Sequence, residues 1–94
     1  MAETVDELTM TYEEDGIEKV KQLEKEILTK GAWSTVMYKC QNWDPKTEEY
    51  KAPYYSVRRY QKRNGQYMLK SKFNISHDEQ AKNIIAVLQK WVGE

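Results

Sequence analysis

Alternation of apolar and polar side chains is clearest between residues 66 and 75. There Tyr67, Leu69, Phe73 and Ile75 share one face of a strand, with Ser71 between them, and Met68, Lys70, Lys72 and Asn74 share the other. One face is expected to meet a core and the other water. Just upstream, Asn64-Gly65 is the strongest short hairpin signal, and Pro53 opens a tyrosine- and valine-rich strand from Tyr54 to about Lys62. An earlier β-rich run carries Trp33, Val36, Met37, Tyr38, Cys40 and Trp43 and ends at the turn pair Asp44-Pro45. Residues 46–51 are polar and loop-like.

The two ends of the chain read differently. Ser76 with Glu79 forms a capping-box pattern. The helix it opens, to about Val92, places Ala81, Ile84, Ile85, Leu88, Trp91 and Val92 on one stripe. The Leu69/Phe73/Ile75 face is its expected partner. Near the amino terminus Leu8, Met10 and Tyr12 alternate with threonines as in a short strand, and Asp15-Gly16 is the strongest part of a turn. Residues 17–29 are ambiguous: Ile17, Val20, Leu23, Ile27 and Leu28 recur at roughly helical spacing among good helix formers, with Gly31 to end the helix. The competing reading makes residues 24–30 a strand that turns at Lys30-Gly31; local pattern favours the helix. The pattern as a whole predicts an acidic, disordered tail over 1–7 and one α+β domain over 8–94. That domain is an antiparallel meander of three to four strands, plus an amino-terminal strand or helix, packed against a carboxy-terminal amphipathic helix.

Composition narrows the chemistry. Ninety-four residues make one small domain with a thin core, for which dimerisation is a natural supplement. Fifteen acids and fifteen Lys and Arg cancel, but not locally. Residues 1–29 hold nine acids against three lysines, a net of −6; residues 30–76 hold ten cations against three acids, a net of +7; residues 77–94 hold three acids against two lysines, a net of −1. Such polarity suits a half that faces a polyanion. The single cysteine, Cys40, fits a reducing compartment. With no bilayer-length apolar run and no signal-peptide layout, a cytoplasmic location is expected.

No catalytic constellation stands out, so the chain is not expected to be an enzyme. Cys40 has no motif around it and reads as a buried small hydrophobe, and His77 follows a helix cap. One cysteine and one histidine cannot supply a zinc site of the usual spacings. No glycine-rich phosphate loop or calcium loop is present, and no cofactor or small-molecule substrate is expected.

The most informative stretch is 50–77, which contains no acid. It holds seven cations (Lys51, Arg58, Arg59, Lys62, Arg63, Lys70, Lys72) and six aromatics (Tyr50, Tyr54, Tyr55, Tyr60, Tyr67, Phe73). By strand period Tyr54, Ser56, Arg58, Tyr60 and Lys62 share one face. If Tyr55 and Val57 face the core, that face is wet, with Lys70 and Lys72 beside it across the hairpin. The candidate nucleic-acid-binding residues are therefore Tyr54, Arg58, Tyr60, Lys62, Lys70 and Lys72. Cations would track phosphates and aromatics would stack bases, with little sequence preference. An ordinary wet sheet face carries the same residue types, since tyrosine suits strands and edge lysines discourage aggregation.

The sequence Val57-Arg58-Arg59-Tyr60, then Lys72, then Glu79-Gln80 seven and eight positions later, resembles a known family. It is similar to the carboxy-terminal domain of the transcriptional coactivator positive cofactor four and its small bacterial relatives, over roughly residues 24–92. Phe73 stands where that family has glycine and Arg59 where it has an acid. The resemblance implies a curved four-stranded antiparallel sheet backed by the terminal helix, a homodimer, and single-stranded-DNA binding without strong sequence preference. It implies contact roles for Arg58, Tyr60 and Lys72; Lys62 and Lys70 rest on face geometry alone. The expected function is thus a non-enzymatic module for single-stranded DNA or RNA. The alternative is an adaptor or regulatory domain whose basic face docks an acidic partner.

Overall fold

The structure is a computed structural model and describes residues 4–93. A 3-10 turn, Val5–Glu7, precedes strands β1 (Tyr12–Glu14), β2 (Ile17–Thr29), β3 (Trp33–Asp44), β4 (Glu49–Tyr50), β5 (Tyr54–Arg63) and β6 (Gln66–Ile75), and the helix α1 (Asp78–Val92) closes the chain. The sheet is antiparallel in the order β1-β2-β3-β5-β6, with β4 paired to β3 off that path. An α+β meander with a carboxy-terminal helix is present, but with more strands than the three to four expected. Asp15-Gly16 and Asn64-Gly65 make the two tight hairpins. Their φ values of 54° and 77°, and of 53° and 79°, are the consecutive left-handed pair such turns require.

Residues 17–29 are a strand along their whole length, correcting the preference for a helix. The misleading spacing has a local cause. The β2–β3 register slips between Gln22 and Glu24 and again between Ile27 and Thr29, leaving Leu23 and Leu28 as extra residues. A period of two interrupted by single-residue bulges puts Val20, Lys25 and Ile27 on one face and imitates a longer repeat. Both bulge leucines are exposed.

A further bulge overturns the expected faces of β6. Arg59 pairs with Ser71 while Tyr60 pairs with Leu69, so Lys70 is the extra residue. Tyr67 and Leu69 therefore share a face with Lys72 and Asn74, and Phe73 and Ile75 lie on the other. On β3 and β5 the inner face carries Ser34, Val36, Tyr38 and Cys40 opposite Tyr60, Arg58, Ser56 and Tyr54. This face holds the main core, in which Val36, Tyr38, Cys40, Tyr60 and Tyr67 are buried together with Val5. Tyr55 and Val57, expected to face the core, point to the outer face instead. The cause is the amino-terminal segment, whose Val5, Leu8 and Met10 cover the inner face alone. Residues 4–7, expected to be a disordered tail, form the ordered 3-10 turn with Val5 buried; residues 1–3 lie outside the described residues.

The helix begins one residue later than the capping box suggested. His77 is its N-cap, with Nδ1 accepting from the Gln80 amide at 3.4 Å, and Gln80 Oε1 accepts from the Ser76 amide at 2.9 Å. Gly93 ends it in a left-handed conformation. α1 sits on the outer face beside β6, yet none of its residues is buried. Leu69 lies on the opposite face of the sheet and Phe73 is 54% exposed, so the expected packing partner is reduced to Ile75 with Tyr55 and Met37. Asp78 ties the helix start to the sheet by accepting from the Tyr55 hydroxyl at 2.7 Å. The radius of gyration, 15.1 Å, exceeds the about 12 Å of a compact chain this long, because the molecule is a broad slab of 43 × 38 × 17 Å. Among the described residues no helix is long and apolar enough to cross a membrane.

Candidate nucleic-acid interface

The inner face divides along the sheet. Over β2 and β3 it is closed by residues 4–11. Over β5 and β6 the closure reaches Ser56, Tyr60 and Tyr67, which are buried, while Lys62, Leu69, Lys72 and Asn74 are exposed and Tyr54 and Arg58 half-buried, and around these the sequence candidates collect. Arg58 stands directly opposite Lys72, and Lys62 directly opposite Tyr67. The Lys62 ammonium lies over the Tyr67 ring, 5.5 Å from its centroid, a cation–π contact that holds the charge at the rim. Arg58 is half-buried, and its Nε donates to Ser56 Oγ at 3.3 Å. Tyr54 is half-buried at the far end of the same row. It borders a shallow cleft of about 420 Å³ lined also by Asn42, Lys51, Ala52, Asn74 and Ser76. Lys70, Lys72 and Lys62 are exposed. Among the described residues these four cations have no acidic partner; an ion pair forms instead on the outer face, between Lys39 and Glu24 at 3.9 Å.

Tyr60 does not join this surface. It is 5% exposed, and its hydroxyl lies 3.0 Å from that of Tyr38 inside the core. The expectation that its ring faces solvent fails because β5 turns this face inward under the amino-terminal segment. Of the two candidate aromatics, Tyr54 is the one left partly exposed. Burial pushes the Tyr38 phenol up, reinforced by the bond to Tyr60, and burial likewise raises Tyr54. Both stay neutral. Burial also raises the Cys40 thiol. It is therefore held protonated and unreactive, as expected for a small core residue.

No protein family, curated protein or solved structure matches this chain. The functional reading rests on the chain's own geometry. Among the described residues no group of three or more His, Cys, Asp or Glu is placed to hold a metal.

Two features escaped the sequence. Lys25, unremarkable among the alternating charges of residues 17–29, reaches under the amino-terminal segment. Its ammonium donates to the carbonyls of Val5, Asp6 and Leu8 at 2.9, 3.0 and 2.7 Å. Nothing in its neighbours signals that role. On the outer face Arg59 stacks over Trp33, 4.6 Å from the ring centroid. The acid-free stretch contained Arg59, but only the β3–β5 register brings it to Trp33.

Proposed function

We propose that this chain is a non-enzymatic module that binds single-stranded nucleic acid, DNA or RNA, with little sequence preference, and that it works as a homodimer. The observation that carries the binding reading is Arg58 set directly opposite Lys72 on the open part of the inner face, with Lys62 on the same face and no acid paired to any of them among the described residues. Like charges in direct cross-strand opposition destabilise a sheet. A phosphate between them converts that repulsion into attraction. Tyr54 then supplies a ring for stacking at the end of the row, and the cleft beside it offers amides, a hydroxyl and Lys51 to sugar and phosphate. This matches what the resemblance to the positive cofactor four domain implies for Arg58 and Lys72.

Anisotropy of a labelled single-stranded oligonucleotide across a salt series tests the proposal. Log affinity should fall linearly with log salt, with a slope set by the phosphates neutralised. Absence of binding at about 50 mM salt, where phosphate attraction is still strong, overturns it. Tyr54→Ala separates this reading from docking of an acidic protein: stacking predicts a clear loss for single strands, and charge docking predicts little.

The dimer reading draws on the outer face. Ile85, Leu88, Trp91 and Val92 on α1 and Phe73 on β6 are all more than half exposed, Trp91 at 75%. Large exposed apolar side chains grouped on one element mark interaction surfaces. A second copy is the occupant because a two-fold contact lets each apolar face cover the other. Light scattering at micromolar concentration should give the dimer mass, and Trp91→Asp should give a monomer. A wild-type monomer overturns this part alone.

A further inference from the structure

The surface beneath residues 4–11 is built unlike a simple core. Its buried side chains on the sheet are Tyr38, Tyr60, Tyr67, Ser34 and Ser56, with Val36 and Cys40 the apolar members. Their hydroxyls are satisfied close to home. The Tyr38 and Tyr60 hydroxyls pair with each other, Tyr67 donates to the Gly31 carbonyl at 2.7 Å, and Ser34 donates to the same carbonyl at 3.1 Å. No bond to the covering segment is needed to satisfy them. Three phenol rings and two serines along a curved face, continuous with Arg58 and Lys72, form a trough suited to bases as well as to valine.

The covering segment is attached in a way that can be undone. Residues 4–11 form no ladder with the sheet. Among their attachments are the buried Val5 side chain, the packing of Leu8 and Met10, and two side chains from β2. Lys25 holds three of their carbonyls, and Gln22 Oε1 accepts from the Met10 amide at 2.9 Å and the Thr9 hydroxyl at 3.1 Å. The segment precedes β1 and takes no part in the ladder, so it can peel off with the ladder intact. It is also acidic, with Asp6 and Glu7; burial lowers the Lys25 ammonium, and the nearby Asp6 charge partly opposes this. Carbonyl oxygens gathered at a lysine resemble the sugar-phosphate groups of a strand.

We propose that residues 4–11 are an internal pseudo-ligand, and that a single strand displaces them and lays bases on Tyr38, Tyr60 and Tyr67 while Lys25 turns from carbonyls to phosphate. This rests on the reading that the inner face binds single strands. The open cationic half captures the strand first, and the trough lengthens the site once the segment leaves. The covered state limits affinity, because the strand must compete with a segment tethered to its own site.

The test compares the full chain with Val5→Glu, which expels the buried plug, using labelled oligothymidine. Val5→Glu should bind at least about tenfold more tightly, since added stacked bases contribute to affinity. Its salt slope should steepen by about 0.7, the value of one more neutralised phosphate on a single strand. Hydrogen exchange on the wild-type chain provides a second readout: saturating oligothymidine should speed exchange at Leu8 and Met10. Equal affinities together with unchanged exchange in the segment overturn the displacement while leaving the open-face reading standing. No binding by either protein overturns both. If circular dichroism shows Val5→Glu unfolded, wild-type exchange decides: faster exchange at Leu8 and Met10 supports displacement, and unchanged or slower exchange overturns it.

Discussion

On the inner face, Val36, Tyr38 and Cys40 are sealed by residues 4–11 of the same chain. On the outer face, a helix of fifteen residues leaves Leu88, Trp91 and Val92 in solvent. Both faces belong to one sheet and differ by a one-residue step along each strand. The inner face is closed by a segment with little secondary structure of its own, held by a plug and two polar side chains. The outer face carries the most regular element of the fold, yet no residue of that element is buried. Regular structure and burial are thus separate. A capped amphipathic helix forms from local signals, while its burial depends on finding a partner surface.

The difference predicts unequal costs for comparable truncations. Tyr38→Ala removes a fully buried ring and half of a buried hydroxyl pair, and should cost about 3–5 kcal/mol. That is a large share of the roughly 5–15 kcal/mol that holds a domain together. Trp91→Ser removes a larger but exposed ring and should change monomer stability by less than about 0.5 kcal/mol. Urea unfolding at low protein concentration measures both. Equal costs would mean that α1 packs on the sheet of its own chain, erasing the contrast between the faces.

Next in size is the latch. Lys25→Met removes the donor from three carbonyls, two in partly buried bonds and one exposed, so the cost falls near the low end of the about 1–3 kcal/mol for an acceptor left without its partner. Detachment of the segment sets an upper limit, since the carbonyls then find water. The expected outcome is a lower urea midpoint together with faster amide exchange at Leu8 and Met10. An unchanged midpoint would show that Val5 alone closes the inner face.

A smaller effect has the opposite sign. Lys72→Glu turns the repulsion with Arg58 into attraction and should stabilise the fold by about 0.2–1 kcal/mol, while weakening binding to single strands. Gain of stability with loss of binding identifies Arg58 and Lys72 as a surface set by its ligand. Loss of both would assign Lys72 to the fold.

Much of this architecture was legible in the sequence. The Asp15-Gly16 and Asn64-Gly65 turns, the β3, β5 and β6 runs and the helix over 78–92 each carry a local signal that the structure follows. What the sequence hid were the bulges. One extra residue at Lys70 reverses Phe73 and Ile75 relative to Leu69, and those at Leu23 and Leu28 make a strand look helical. A bulge is fixed by what the neighbouring strand offers, so no pattern within its own strand reveals it. The candidate surface was affected in the same way. Arg58, Lys62 and Lys72 share one face because β5 keeps its alternation through the pairing with β6 and Lys72 stands opposite Arg58. That the face was inner, and that Tyr60 was lost to the core, followed from residues 4–11, some fifty positions away.

The smallest expected effect concerns the hydrogen-bonded tether between α1 and β5. The Tyr55 hydroxyl donates to Asp78 at 2.7 Å, and this bond, with lesser help from burial and the Asp78 charge, holds the phenol above its ordinary value of 10.0. A phenol that keeps its proton more tightly when folded contributes stability below its unfolded value. That contribution is lost as pH rises through the raised folded value, because the phenolate then faces the Asp78 carboxylate. The helix start should therefore loosen only above about pH 10, the ordinary range of tyrosine. Amide exchange in the first turn of α1, corrected for the intrinsic rise with pH, should accelerate there in the wild type. Tyr55→Phe should show the faster rate already at neutral pH and no further step. Since the core under residues 4–11 has no part in this bond, exchange at Tyr38 and Val36 should not follow. If it does, the two faces are coupled through β5, and the closed inner face depends on the helix after all.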